Sequence, residues 1–187
     1  MTRIIGIAGS LRQGSYNAAL LHAAAELAPA GCRVEIAGIQ DIPLYDADLE
    51  AQHGVPAAVA ALKDRIAAAD GLLLVTPEYN HSIPGVFKNA IDWLSRPPAD
   101  IGRVFGNRPV GVIGATPGRM GTIFAQTAWL PVLQTLGVRP FFAKSLYVSG
   151  AGKLFDAAGN LTDNELRERL RAYVAALVAF VMQGGKT

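Results

Sequence analysis

Residues 71–76 read GLLLVT, and no other stretch limits the architecture as strongly. A strand with no polar alternation has both faces covered, which is the condition of a central strand in a parallel sheet flanked by helices. The neighbouring segments supply the rest of that arrangement. RIIGIA (3–8) is a second short apolar run, followed by an alanine- and leucine-rich helical pattern from about Tyr16 to Ala28 that Gly31 stops. RVEIAGI (33–39) alternates polar and apolar side chains, as a strand with one protected face near a sheet edge does. Val55, Val59, Leu62 and Ile66 recur at three- and four-residue steps and predict a helix over 55–69.

Beyond the central run, Pro84 and Gly85 open a helix to about Ser95, which Pro97 and Pro98 end. A loop to Arg108 precedes the strand PVGVIGA (109–115), and a helix at about 121–136 leads to a fifth strand near 140–147. The run T-D-N-E places Thr162 and Glu165 as a capping box for a last helix that continues to about Met182. Strand and helix alternate five times with no repeat or linker, which predicts one domain over 1–187 with an α/β, three-layer sandwich fold. The matching topology is flavodoxin-like: a five-stranded parallel sheet of order 2-1-3-4-5 with helices on both faces and the alternating second strand at an edge.

Composition narrows the function. The chain is 51% hydrophobic and 17% charged, yet its longest apolar run, Ala172 to Met182, is far shorter than a bilayer requires, so no membrane association is expected. The opening MTRIIGIAGS is too short and glycine-broken for a secretory signal, and cytoplasmic residence is the expectation. The lone Cys32 reads as a small residue near a strand start, and no Cys or His cluster has metal-ligand spacing. With a net charge of +2 and scattered basic residues, no nucleic-acid partner is expected.

In a sheet of this order ligands bind beyond the carboxyl ends of the strands, where the order reverses between strands one and three. Three loops meet there, 9–17, 76–85 and 114–122. The first reads GSLRQGSYN: Gly9 and Gly14 satisfy G-x-x-x-x-G, but Ser15 stands where a nucleoside-triphosphate loop needs lysine, and no GxGxxG fingerprint is present. What remains is the hydroxyls of Ser10 and Ser15, the guanidinium of Arg12, the amide of Asn17 and the free N–H groups at a helix start, a donor set suited to a phosphate monoester. An ordinary strand-to-helix turn, with Ser15 or Asn17 merely capping the helix, accounts for the same residues.

Residues 76–96 read TPEYNHSIPGVFKNAIDWLSR, and together with G-S-L-R-x-x-S-x-N at 9–17 they closely resemble the NADPH-dependent FMN reductase family, which includes chromate and quinone reductases. The resemblance spans nearly the whole chain. It implies that Ser10, Arg12, Ser15 and Asn17 wrap the FMN phosphate, that Pro77, Glu78, Tyr79 and Asn80 lie along the isoalloxazine ring, with Ser82 and Gly85 completing that turn, and that Tyr16 and Ser82 belong to the cofactor-binding set. GATPGRMGT (114–122) is similar to the family's third segment, which implies ring contacts for Thr116, Pro117, Gly118 and Gly121, the glycines letting backbone approach the ring. Relatives often carry arginine where this chain has Phe124, a departure that bears on acceptor range or assembly.

The function implied is ping-pong hydride transfer from NADPH or NADH through FMN to quinones, chromate, azo compounds or free flavin, with the chemistry carried by the cofactor and no catalytic side chain required. Two alternatives of other classes are a flavodoxin-type electron carrier, usually strongly acidic where this chain is slightly basic, and a non-catalytic flavin-sensing protein. A homodimer or homotetramer is implied, with the apolar helix faces around Phe87, Trp93, Phe124 and Trp129 as the expected contact. Other side chains have plain readings: the tryptophans as packing or interface residues, Lys88 and Asp92 as a solvated i,i+4 pair, His22 and His53 as surface residues. His81 is either a turn residue or a proton donor, and Glu78 is structural or functional with equal weight.

Overall fold

The computed structural model describes residues 1–184. Its central sheet is built from β1 (Thr2–Ala8), β2 (Cys32–Ala37), β3 (Gly71–Val75) and β4 (Pro109–Ala115), all parallel, with two short strands β5 (Arg139–Pro140) and β6 (Tyr147–Val148) beside β4. The order is β2-β1-β3-β4-β5. Every residue of β3 is buried, as GLLLV requires, and the alternating β2 takes the edge.

Because side chains alternate across a strand, each strand feeds two cores. Ile4, Leu73, Val75 and Ile113 face α1 (Tyr16–Glu26) and the last helix, where Leu20, Leu21, Leu170, Tyr173 and Leu177 meet them. Ile5, Ile7, Leu72, Leu74 and Val110 face the opposite layer. There Leu62 and Ile66 of α3 (Ala57–Ala67), Phe87 and Trp93 of α4 (Gly85–Leu94), and Trp129 of α6 (Ile123–Thr135) close the core. A Cβ on Gly6 would lie 2.4 Å from Leu21 Cδ1, so the bare backbone lets α1 settle directly over β1. Burying each large aliphatic or aromatic side chain contributes about 1.5–3 kcal/mol. Among the described residues no helix is long and apolar enough to cross a membrane.

Four expectations change. The fifth strand over 140–147 is two pieces: after Phe141 N–H bonds Val110 O (2.8 Å) the chain leaves the sheet, and it returns at Tyr147 to pair with Gly114. Proline at 140 donates no ladder bond, and Phe142, Lys144 and Ser145 stand exposed in the excursion. The last helix, α7 (Asn164–Gln183), is capped by Asp163, whose carboxylate accepts from Leu166 N–H (2.7 Å). Thr162 instead donates its hydroxyl to Leu154 O (3.2 Å), so the capping box at Thr162 and Glu165 is not formed. The helix α5 (Ile101–Val104) occupies the stretch read as loop, and a further helix, α2 (Ala47–His53), lies where no element is expected; α2 buries no residue and so leaves no apolar period to find. Finally, Phe87, Trp93 and Trp129 lie inside the second core, at most 1% exposed, which removes them from any contact between chains and leaves only Phe124 of that set on the surface.

Candidate functional site

The first loop leaves β1 at Ala8 and enters α1 through Ser15, whose hydroxyl oxygen accepts from Ala18 N–H (3.3 Å) as an N-cap. That oxygen's own hydrogen remains to donate outward, and the first-turn N–H groups of a helix have no partner within it. The Arg12 guanidinium stands 5.2 Å above the Tyr16 ring, and Arg12 N–H donates to Ser10 Oγ (3.3 Å). Among the described residues no carboxylate pairs with Arg12. Asn17 does different work. Its buried amide donates to Ala115 O and accepts from Ala115 N–H, both at 2.8 Å, tying the start of α1 to the end of β4.

The second loop is held from beneath by Thr76, which accepts from the Trp129 indole N–H (3.1 Å) and donates to Pro77 O (2.8 Å). Tyr79 and Ser82 exchange backbone hydrogen bonds of 3.2 and 3.0 Å across Asn80 and His81, both with positive φ (50° and 60°), the pattern of a type I′ turn. Glu78 reaches across to α6: its carboxylate accepts from Phe124 N–H (2.9 Å) and Ala125 N–H (3.1 Å). The residue at the N-cap of α6, Thr122, makes no cap bond of its own, because its hydroxyl is turned inward to accept from Gln126. Glu78 therefore supplies the cap from another loop, and its structural reading is the one observed.

In the third loop Thr116 takes a backbone bond from Ala151 N–H and gives one to Val148 O, and its hydroxyl accepts from Gly118 N–H (3.2 Å). Gly121 is buried with φ at 59°, and a Cβ there would come within 2.8 Å of the Tyr147 carbonyl carbon. Its close approach is to β6, and it is not among the residues that line the cleft between the three loops.

These loops enclose a cleft of about 440 Å³ lined by Ser10, Arg12, Ser15, Tyr16, Asn17, Pro77, Glu78, Tyr79, Thr116 and Pro117, together with Ala115, which the sequence reading had not singled out. Ten of the expected residues thus meet. Asn80 and Ser82 sit in the exposed turn at its edge, and Gly118 lies outside the lining. Arg12 is the one cation among the lining residues, and its volume is that of a small-molecule site. A larger hollow of about 530 Å³ lies on the other side of α1, but Glu26 and Asp156 in its walls make it a poor host for a phosphate. Among the described residues, three of the four non-glycine residues with positive φ (Asn80, His81 and Thr122) are at this site, the distribution expected where strain serves function. His81 stacks on Phe124 at 4.7 Å between ring centroids, a contact with no local sequence signal because 43 positions separate the two.

Comparison with known proteins gives one consistent relationship. The model of the family described as NADPH-dependent FMN reductase matches residues 2–153. The chain is 45% identical over 179 residues to an NAD(P)H-dependent FMN reductase of Pseudomonas aeruginosa, covering 96% of this chain and 95% of that protein. It is 38% identical over 179 residues to a 2-hydroxy-1,4-benzoquinone reductase of a Burkholderia species, covering 96% of each. The solved structure of FerB, a flavoenzyme NAD(P)H:(acceptor) oxidoreductase from Paracoccus denitrificans, superposes with a TM-score of 0.87 at 33% identity, covering 98% of each chain.

Proposed function

The chain belongs to the NADPH-dependent FMN reductase family, and we propose that it acts in the cytoplasm as one FMN-binding domain that oxidises NADPH or NADH and reduces small acceptors, quinones foremost and azo compounds, chromate or free flavin in the wider set. The carrying observation is the meeting of three strand-end loops on one cleft whose single cation, Arg12, stands at a helix start. The donor set there fits a phosphate monoester: a guanidinium, two hydroxyls and first-turn N–H groups, with no carboxylate paired to the cation. Ser10, Arg12, Ser15 and Tyr16 would hold the phosphate, while Pro77, Glu78, Tyr79, Thr116 and Pro117 form the sides that receive the ring system. Bound there, FMN supplies the two-electron chemistry. The protein's share is to hold and orient it and to keep water from the buried end, where Asn17 and Ala115 close the floor.

Replacing Arg12 with alanine should weaken FMN binding by about 10- to 150-fold, the loss of one or two charge-assisted bonds, without changing the melting midpoint. Unchanged affinity in a fluorescence titration would reject the assignment. At the level of the whole reading, the purified protein should be yellow and should bleach when NADPH is added without oxygen.

The reading includes a homodimer or homotetramer. The face of α6 that carries Leu130, with Phe142 (69% exposed) from the excursion between β5 and β6 and Tyr147 at the start of β6, replaces the buried aromatics as the surface for it.

A further inference from the structure

Next to the cleft, in the turn after Tyr79 and at the start of α6, two exposed rings that are not among its lining residues, His81 and Phe124, stack with a tilt of 36°. Nothing in the core requires them. Phe124 is 40% exposed and Tyr79 49%, so this edge shows aromatic surface to water that a purely structural turn would have no reason to keep. The pair is also held rigidly from both sides. The Glu78 carboxylate pins the Phe124 backbone, and the paired hydrogen bonds between Tyr79 and Ser82 force His81 into the left-handed region, which a residue with a Cβ adopts only against strain. The charge of the wall is the second clue. Across residues 77–82 and Phe124 the one acidic residue is Glu78, and no lysine or arginine is present to greet an anion.

Resting on the flavin-reductase reading above, we propose that Phe124, backed by His81, is the specificity-determining shelf for the electron acceptor. It holds flat, uncharged aromatic rings such as quinones and disfavours small oxyanions such as chromate. Offset ring contacts supply the attraction to the former, and the lack of a cation beside a carboxylate supplies the discrimination against the latter.

The test uses the FMN-loaded, oxidised protein without any nicotinamide and measures binding of 1,4-naphthoquinone by titration calorimetry, a readout independent of turnover. Phe124→Ala should raise the Kd for 1,4-naphthoquinone about 2- to 12-fold and leave FMN affinity within twofold of wild type. His81→Gly relieves the strained backbone while deleting the ring; it should raise the same Kd with a melting midpoint equal to or above wild type, which a loss of folding would not produce. Phe124→Arg should raise the kcat/KM for chromate relative to that for 1,4-naphthoquinone. An unchanged naphthoquinone Kd in both Phe124→Ala and His81→Gly overturns the shelf while leaving the flavin reading intact. Failure of the wild-type protein to take up FMN overturns the flavin reading itself.

Discussion

Glu78 shows how a single side chain can be read correctly in position and only half correctly in role. It sits in the segment whose sequence resembles a ring-contacting loop, and it does line the cleft, yet its oxygens are spent on Phe124 and Ala125 N–H at the start of α6. Sequence spacing cannot show this, because 46 residues separate Glu78 from Phe124 and the need arises only when Thr122 turns its hydroxyl inward. Glu78→Ala should therefore lower stability by about 1 kcal/mol, within the range of a lost helix cap, read as a shift in denaturant midpoint at constant m-value. No shift would mean that water replaces the carboxylate at that helix end. Asn17 is a parallel case: the motif marks it as a cofactor contact, while its amide serves as the joint between α1 and β4. Ser15 satisfies both readings at once, capping α1 through its oxygen and keeping a hydrogen to donate.

At the scale of elements, long periodic segments were legible and short or unperiodic ones were not. β3 and α3 declare themselves through unbroken or stepped apolar residues, whereas α2 is set by the Asp46 cap, whose carboxylate bonds Asp48 and Leu49 N–H, with no buried face at all. The edge strand β2 carries an electrostatic signature of its own. Arg3 and then Arg65 hydrogen-bond Glu35 and hold its carboxyl below the ordinary glutamate value near 4.5. A carboxyl depressed by folding adds stability that is complete above the unfolded value and is lost as pH falls through the folded one. Thermal stability of the wild type should thus decline as pH drops below about 4.5, and Glu35→Gln should be less stable than wild type at pH 7 by under about 1 kcal/mol, with the difference vanishing in acid. A difference that persisted at low pH would assign Glu35 a packing role. The charges also keep this outermost strand from pairing with another sheet.

For the whole molecule, the two cores decide which surfaces are left for a partner. The second core swallows Phe87, Trp93 and Trp129, with the Trp93 indole further tied to Pro43 O (2.9 Å) and T-stacked on Tyr45 at 5.0 Å. The proposed homodimer or homotetramer would then use what remains outside, and Phe142→Glu should shift the light-scattering mass of the protein toward a single chain without altering FMN affinity. A mass unchanged by that substitution would move the contact elsewhere. The sequence by itself determined the α/β alternation, the central position of β3, the edge position of β2 and ten of the residues that meet in the cleft. The first three follow from side-chain period and from glycine, proline and capping residues, which act on the local backbone, and the ten cleft residues from the resemblance of the loop motifs to those of the family. Only the tertiary structure decided that Glu78 caps α6, that Gly121 makes room for β6, that the fifth strand is split and that His81 meets Phe124. Each of these depends on groups distant in the chain competing for the same space and hydrogen bonds, and that competition exists only once the layers have packed.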